Sequence, residues 1–352
     1  MKKIYQDSTF YLVIFIVSYF IYVYPYEILN QLIFNEKASR GSSLYYTVII
    51  GALVILYFRS KITFFPLKIF IYEGMGIGFI SFWVLNIAYI ISYFNLLNNY
   101  FLGILSLIII ILLTIIGLLT ANFIKVKKID IQSNKISKNY NFFLITDIHL
   151  GTNSINHLIK ILKKIDQYKY DFILIGGDLL DSSTFDLNKL NVLKKIKKPI
   201  YFVTGNHEFY IADYQNKIIN LEKFNIKVLN NKNYIMDDLN IIGIDDNIDN
   251  NNKILNINKL INKSKYNLSL IHKPSIWDNV KQNIDLMLSG HTHNGQIFPF
   301  NFFVRFQFKY KFGLYNYKSS NLYVSSGSGC WGPRIRLGTF NEIVYFSLNK
   351  YI

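Results

Sequence analysis

Five of the six histidines in this chain fall in a ladder of short polar motifs: Asp147-Ile-His149, Gly205-Asn206-His207-Glu208, His272 and Gly290-His291-Thr292-His293, with Gly177-Asp178 between the first two. Imidazole nitrogens and carboxylate or amide oxygens in such number are the donors that divalent metals take. Two such ions, about 3.5–4 Å apart, need a carboxylate between them to screen their repulsion, and flanking nitrogens and oxygens to complete each shell. Asp178 takes the bridging position in this reading; Asp147, His149 and His293 serve one ion, and Asn206, His272 and His291 the other. In His291-Thr292-His293, two side chains one residue apart at the start of a loop reach different ions. A single ion would leave too many ligands over.

Each motif closes an apolar run: Phe-Phe-Leu-Ile within 141–146, Phe-Ile-Leu-Ile within 171–176, Ile-Tyr-Phe-Val within 199–204, and similar runs at 267–271 and 284–289. Runs of this length bounded by turn residues read as buried strands. In a sheet covered on both faces, the loops at the carboxyl ends of the strands gather at one edge. Ligands far apart in sequence then converge on one pocket.

Asp147-x-His149, Gly177-Asp178-x-x-Asp181, Gly205-Asn206-His207-Glu208, His272 and Gly290-His291-x-His293 together resemble the calcineurin-like metallophosphoesterase superfamily, over residues 140–349. The extended run Gly290-His291-Thr292-His293-Asn294-Gly295-Gln296, with Gly332-Pro333 beside Arg334, resembles its bacterial membrane-linked phosphohydrolases. The resemblance implies a four-layer α/β fold, a two-sheet β-sandwich flanked by helices. It implies a dinuclear centre (Mn, Fe or Zn) held by the seven ligands above. His207 would then be a catalytic group that neutralises the leaving oxygen, with Glu208 or a backbone carbonyl fixing its tautomer. Asn294, where the subgroup often has glycine, and Glu208, where aspartate is commoner, depart from the pattern without removing a ligand. The implied reaction is metal-dependent hydrolysis of a phosphoester or pyrophosphate bond. The alternative is a membrane sensor or scaffold that binds metal or ligand without turnover.

Other polar residues take lesser parts. Asp181 trims the loop after Asp178, and His157 sits on the surface of a helix marked by Leu158, Ile159, Leu162 and Ile165. Arg334 and Arg336 are candidates to clamp a second phosphate of the substrate. Phe298 to Tyr317 interleaves aromatics with Arg305, Lys309 and Lys311, which suits a segment that dips into a membrane interface and receives a lipid headgroup. Residues 245–267, rich in Asn, read as a polar loop with a short helix.

The first third of the chain is different. Phe10–Tyr26, Leu44–Phe58, Ile69–Phe94 and Tyr100–Phe123 are long apolar stretches. Three reach or approach the about 20 residues that cross a bilayer; the second, at about fifteen, is marginal. The first is expected to be a span rather than a cleaved leader, because no small-residue cleavage site follows it. The expected organisation is an all-α transmembrane region over 1–124, a linker or edge strand over 125–139, and the α/β domain over 140–352. Lys2, Lys3, Arg59, Lys61, Lys68, Lys125, Lys127 and Lys128 fall on one side of the four spans, while Lys37 and Arg40 are offset by Glu27 and Glu36 on the other. The asymmetry predicts a multi-pass protein with both termini and the catalytic domain on the cytoplasmic side. Glu73, among Gly74, Gly76 and Gly78, reads as an interfacial carboxylate where helices pack closely.

Residues 1–124 hold 7 basic and 4 acidic side chains, so most of the +16 formal charge lies in the remainder. Such a surface favours anionic headgroups. The expected partners are the bilayer and a phosphorylated, lipid-linked substrate; no nucleic-acid-binding module appears. Cys330 is the one cysteine, which excludes an intramolecular disulfide.

Overall fold

The computed structural model describes residues 2–59 and 64–351. Lys61 of the orientation argument lies outside the described residues, as do the side chains of residues 2–8, those of Lys2 and Lys3 included. The chain forms two compact units, one running to Leu119 and including Gly332–Ile335, the other comprising Thr120–Trp331 and the chain from Arg336 on.

The helical unit contains four helices long and apolar enough to cross a membrane: Thr9–Phe34, Arg40–Arg59, Pro66–Tyr93 and Asn99–Asn122. The second, marginal by its apolar run, reaches 20 residues because the helix starts at Arg40. Ser39 caps it, its Oγ accepting from the Ser42 amide at 3.1 Å. The first continues past Pro25 by way of a π-helical turn over Tyr19–Val23. Proline cannot donate to the carbonyl four residues back, and a π turn absorbs the mismatch. That freed carbonyl, of Ile21, lies where a Cβ on Gly78 would come within 2.0 Å of it. Glycine is what lets the two helices meet. Glu27, expected in a loop, is therefore inside the first helix, where its carboxylate accepts from Tyr19 and Ser43 hydroxyls. Glu73 accepts from the Arg334 amide and Nε at 3.0 Å each, and Pro333 packs against Gly76.

The second unit is built on two six-stranded sheets. The strands are β1 (Ile124–Ser133), β2 (Tyr140–Ile145), β3 (Phe172–Gly176), β4 (Ile200–Val203), β5 (Ile226–Val228), β6 (Lys232–Met236), β7 (Leu239–Ile244), β8 (Tyr266–Ile271), β9 (Leu286–Ser289), β10 (Gly313–Tyr317), β11 (Ser320–Val324) and β12 (Asn341–Lys350). One sheet runs β1-β12-β2-β3-β4-β5 and the other β10-β11-β9-β8-β7-β6. β2, β3 and β4 are parallel neighbours, as are β7, β8 and β9. Residues 125–138 thus hold an edge strand, β1, parallel to β12.

Alternation along the strands creates three apolar layers. Phe142 and Leu144 face the core between the sheets, together with Phe172, Leu174, Leu268 and Leu270. Phe143 and Ile145 face the other way, onto Leu158, Ile161, Leu162 and Ile165 of the helix Ile155–Ile165. Behind the second sheet, Ile242 and Ile271 meet Ile257 and Trp277 of the helices Asn250–Leu260 and Trp277–Val280. The architecture is helix, sheet, sheet, helix.

Candidate metal centre

The parallel runs β2-β3-β4 and β8-β9 put five loops at the carboxyl edges of two facing sheets. Asp147 and His149 follow β2, Asp178 follows β3, Asn206 and His207 follow β4, His272 follows β8, and His291 and His293 follow β9. Five of these residues occupy the left-handed backbone region: Asp147 (φ 53), His149 (φ 51), Asp178 (φ 53), His291 (φ 74) and His293 (φ 48). A non-glycine residue there costs on the order of 1–3 kcal/mol and persists only when its surroundings over-determine it. Here the loops are stitched to each other. The Asp147 amide donates to the Gly177 carbonyl (3.0 Å), the His149 amide to the Asp178 carbonyl (2.9 Å), and the His291 amide to Asp147 Oδ1 (3.0 Å). Glycine is required where the carboxylates pass: a Cβ on Gly205 would lie 2.2 Å from Asp178 Oδ1, and one on Gly290 2.3 Å from Asp147 Oδ2.

The side chains collect into sets whose donor atoms lie within 4.8 Å of one another: Asp147, His149 and His293; Asp178, His272 and His291; and His149, Asp181 and His207. Asp178 stands between the first two, its Oδ2 3.7 Å from His149 Nε2 and 3.2 Å from His272 Nε2. His149 and His293 bring their Nε2 atoms to 3.1 Å. Asn206 Oδ1 is buried with no hydrogen-bond partner. A buried amide oxygen left unpaired, one residue from His207, fits a cation ligand better than any internal role. The set therefore fits two divalent ions.

The surrounding contacts aim the rings. His272 Nδ1 meets the Gly176 carbonyl at 2.8 Å, which leaves Nε2 turned to Asp178. His149 Nδ1 faces Asp181 at 3.5 Å, and Asp181 is held by the Thr152 amide and hydroxyl at 2.9 and 2.6 Å. Asp181 is thus placed to orient a ring as well as to shape its loop.

Burial alone would raise the Asp178 pKa, but His272 and then His149 hold its carboxyl well below the usual range. Conversely, His272 is pushed up to about 10, the pull of Asp178 outweighing burial. Burial brings His291 down to about 3, with the charge on His272 adding to it, and brings His207 down to about 4. Against burial, Asp181 and Asp178 raise His149 as well, so His272 and His149 are the imidazoles that favour the proton, and His207 is neutral at pH 7.

Four residues sit differently from the sequence reading. Glu208 does not orient His207: its carboxylate is buried and accepts from the amides of Asp178 (3.0 Å), Leu180 (2.8 Å) and Gly205 (2.8 Å). Burial lifts its pKa to about 7. Arg336 is fully buried, donating to the carbonyls of Ser326 (2.7 Å), Gly329 (2.8 Å) and His293 (3.3 Å), so its fork ties the loop after β11 to the loop that carries His293. Arg334 is engaged by Glu73. His157, half-buried, reaches the Ser328 carbonyl at 2.6 Å. Two residues that the sequence reading passed over flank His207. The rings of Tyr210 and Trp331 lie 5.3 and 5.9 Å from it, both exposed, with the Trp331 backbone pinned by Gln296 at 3.0 Å on each side. The signal for Trp331 was the Ser-Gly-Ser-Gly-Cys run before it, a loop leaving the apolar strand β11.

Residues 140–295 match the family model of calcineurin-like phosphoesterases. An uncharacterized metallophosphoesterase of Bacillus subtilis, YkoQ, is 31% identical over 237 residues, which cover 60% of this chain and 84% of that protein. This chain belongs to the calcineurin-like phosphoesterase family. An uncharacterized metallophosphoesterase of Campylobacter jejuni is 35% identical over 240 residues, 64% of this chain. The matched part spans 63% of that relative, a little under two thirds of its length. A Danio rerio transmembrane protein with metallophosphoesterase domain is 29% identical over 273 residues, covering 70% of this chain and 62% of that protein. That relative is named for a transmembrane character and a metallophosphoesterase domain together.

Proposed function

We propose that this protein is a membrane-anchored phosphohydrolase that uses two divalent ions, Mn, Fe or Zn, to cleave a phosphoester or pyrophosphate bond on a lipid-linked substrate. The observation that carries the reading is the convergence of six carboxylate and imidazole ligands from four loops, with an unpaired buried amide oxygen, Asn206 Oδ1, on a fifth. Asp147, His149, Asp178 and His293 would hold one ion, and Asp178, Asn206, His272 and His291 the other. When bound, the ions supply positive charge to the phosphoryl oxygens and acidify the attacking water.

The residues do the rest. Asp178 keeps its negative charge at all physiological pH and so screens two like charges from each other. His207, neutral and half-exposed between Tyr210 and Trp331, is placed to donate a hydrogen bond to the departing oxygen as charge grows on it. Positioning and charge supply most of the rate in phosphoryl transfer. The basic residues flanking the spans support a cytoplasmic site. Reporter fusions after Lys128 and between Asn95 and Tyr100 test that placement, the first expected inside and the second outside.

The test of activity is the purified full-length protein, loaded separately with Mn²⁺, Fe²⁺ and Zn²⁺ and assayed on p-nitrophenyl phosphate, bis-p-nitrophenyl phosphate and a lipid pyrophosphate. Turnover that follows metal content and disappears in His291→Ala supports the enzyme. Two bound metals with no turnover on any ester would instead make the unit a sensor or scaffold.

A further inference from the structure

Among the described residues of the phosphoesterase unit, exposed large apolar side chains are densest on the helix Phe300–Gln307 and its entry at Phe298. Phe298 is 58% exposed, Phe302 44%, Phe303 42% and Phe306 74%, while Val304 is the one residue of that helix fully buried. The rings form a cluster, Phe302 lying 5.8 Å from both Phe303 and Phe306. Arg305 lays its guanidinium over Phe302 at 3.6 Å, and Lys309 follows with its side chain 70% exposed. A helix made to face water turns its aromatic residues inward; this one turns them out and keeps cations among them. Contiguous exposed apolar surface of this kind marks an interaction site.

Three observations identify the occupant as a lipid surface. The same chain carries four helices of membrane-crossing length, and Phe123 alone separates the last of them, Asn99–Asn122, from β1. The residues after 124 carry most of the +16 charge, the complement of an anionic bilayer. Phenylalanines interleaved with arginine and lysine suit the headgroup–acyl boundary, where the ring enters the apolar layer and the cation stays with phosphate.

The helix is also joined to the metal centre at both ends. It begins five residues beyond the His293–Gly295 turn, and the Phe308 ring just past its end meets His291 at 5.4 Å. The Thr292 hydroxyl, between the two ligand histidines, donates to the Lys311 carbonyl.

We propose that the surface from Phe298 to Lys309 docks into the headgroup–acyl boundary of an anionic bilayer and delivers phosphorylated lipids to the metal centre from that boundary. The docking stands on the surface alone; the delivery rests on the phosphohydrolase reading above. Docking puts Phe302 and Phe306 in the acyl layer and leaves a residue such as Leu255, 54% exposed on the helix Asn250–Leu260, in water.

The two halves are tested separately. Cys330 is buried, so a thiol-directed spin label attaches to an introduced cysteine. Full-length Phe302→Cys, Phe306→Cys and Leu255→Cys are labelled and reconstituted in vesicles of phosphatidylcholine and phosphatidylglycerol. Collision rates with oxygen, which partitions into lipid, and with a nickel chelate, which stays in water, are then read from power saturation. Oxygen should dominate at 302 and 306 and nickel at 255. Nickel dominating at both phenylalanine positions overturns the docking. So does low access to both probes with spin–spin broadening, which would mean that a second copy covers the helix. For delivery, Phe302→Ser with Phe306→Ser should lower the ratio of vesicle-lipid to bis-p-nitrophenyl phosphate turnover by about ten-fold, equivalent to about 1.4 kcal/mol of lost interfacial binding. An unchanged ratio with immersed labels overturns delivery and leaves docking. A wild-type protein inactive on both substrates fails the phosphohydrolase reading, whatever the labels report.

Discussion

The helical unit and the phosphoesterase unit handle buried polarity in opposite ways. In the helices, Leu12, Ile16, Leu112 and Ile116 face outward, and Glu27 is quieted by Tyr19 and Ser43 and Asn86 by Tyr24. In the phosphoesterase unit apolar residues fill the layers, while Asp147, His149, Glu208 and His272 are all wholly buried at the carboxyl edges of the two sheets. A carboxylate in the first setting needs only to be neutralised. In the second it holds backbone, neighbouring rings and incoming charge together, and that difference sets how much each can lose.

The largest contrast is in activity. Asp178→Asn keeps the size of the side chain and removes the charge between the two histidine sets, so metal content and hydrolysis of bis-p-nitrophenyl phosphate should both disappear while circular dichroism stays unchanged. Glu27→Gln, the same change in the helical unit, should leave the rate alone. Full activity in Asp178→Asn would sink the metal assignment. His207→Ala should keep both metals and lose about 10²- to 10⁴-fold in rate, the range of a proton-handling group. Metal loss in that variant would move His207 into the coordination shell.

Stability separates the units next. Glu208→Ala strands three buried amides, each worth about 1–3 kcal/mol when left unpaired, for a loss of about 3 kcal/mol or more. Glu27→Ala removes hydrogen bonds of the kind that average about 0.6 kcal/mol between membrane helices. Denaturant midpoints for the two variants, each followed by a probe in its own unit, check the order; a larger loss at Glu27 would break the comparison.

The smallest effect is a proton. His272 has its pKa raised to about 10, so it is protonated below that pH, and a cation must displace the proton to bind. Metal uptake at pH 7–8 should release a proton to buffer, seen as a binding enthalpy that varies with the ionisation enthalpy of the buffer, and affinity should fall as pH falls. No buffer dependence would mean that the imidazole is already neutral.

Most of the scaffold was legible because burial on both faces leaves a plain trace: apolar runs expected at 141–146, 171–176 and 199–204 became strands at Tyr140–Ile145, Phe172–Gly176 and Ile200–Val203. What could not be read was direction. Glu208 stands beside His207 in sequence, but the tight turn His207–Tyr210 sends its carboxylate to amides as far as 30 residues away. Arg336, a loop arginine by sequence, spends its charge on carbonyls that only the folded loops bring together. The left-handed backbone at Asp147, His149, Asp178, His291 and His293 had no signal either, since such turns announce themselves through glycine, and here the strain falls on the side chains that the site needs. Glu27 was misplaced because Pro25 looks like a helix end, and the π turn before it lets the helix run on.

The place of β12 has a consequence for how the molecule is made. It is the last of the described strands, yet it lies between β1, which follows the last apolar helix after Phe123, and β2, the strand that presents Asp147 and His149. While the chain is being synthesised, the first sheet has a vacant lane between its edge strand β1 and β2. The strand that anchors the domain and the strand that carries the first ligands stay unjoined until residues 341–350 emerge from the ribosome. All four apolar helices are complete before the first sheet can close, and removing those ten residues would leave the helical unit whole and β1 cut off from the strands that present the candidate ligands.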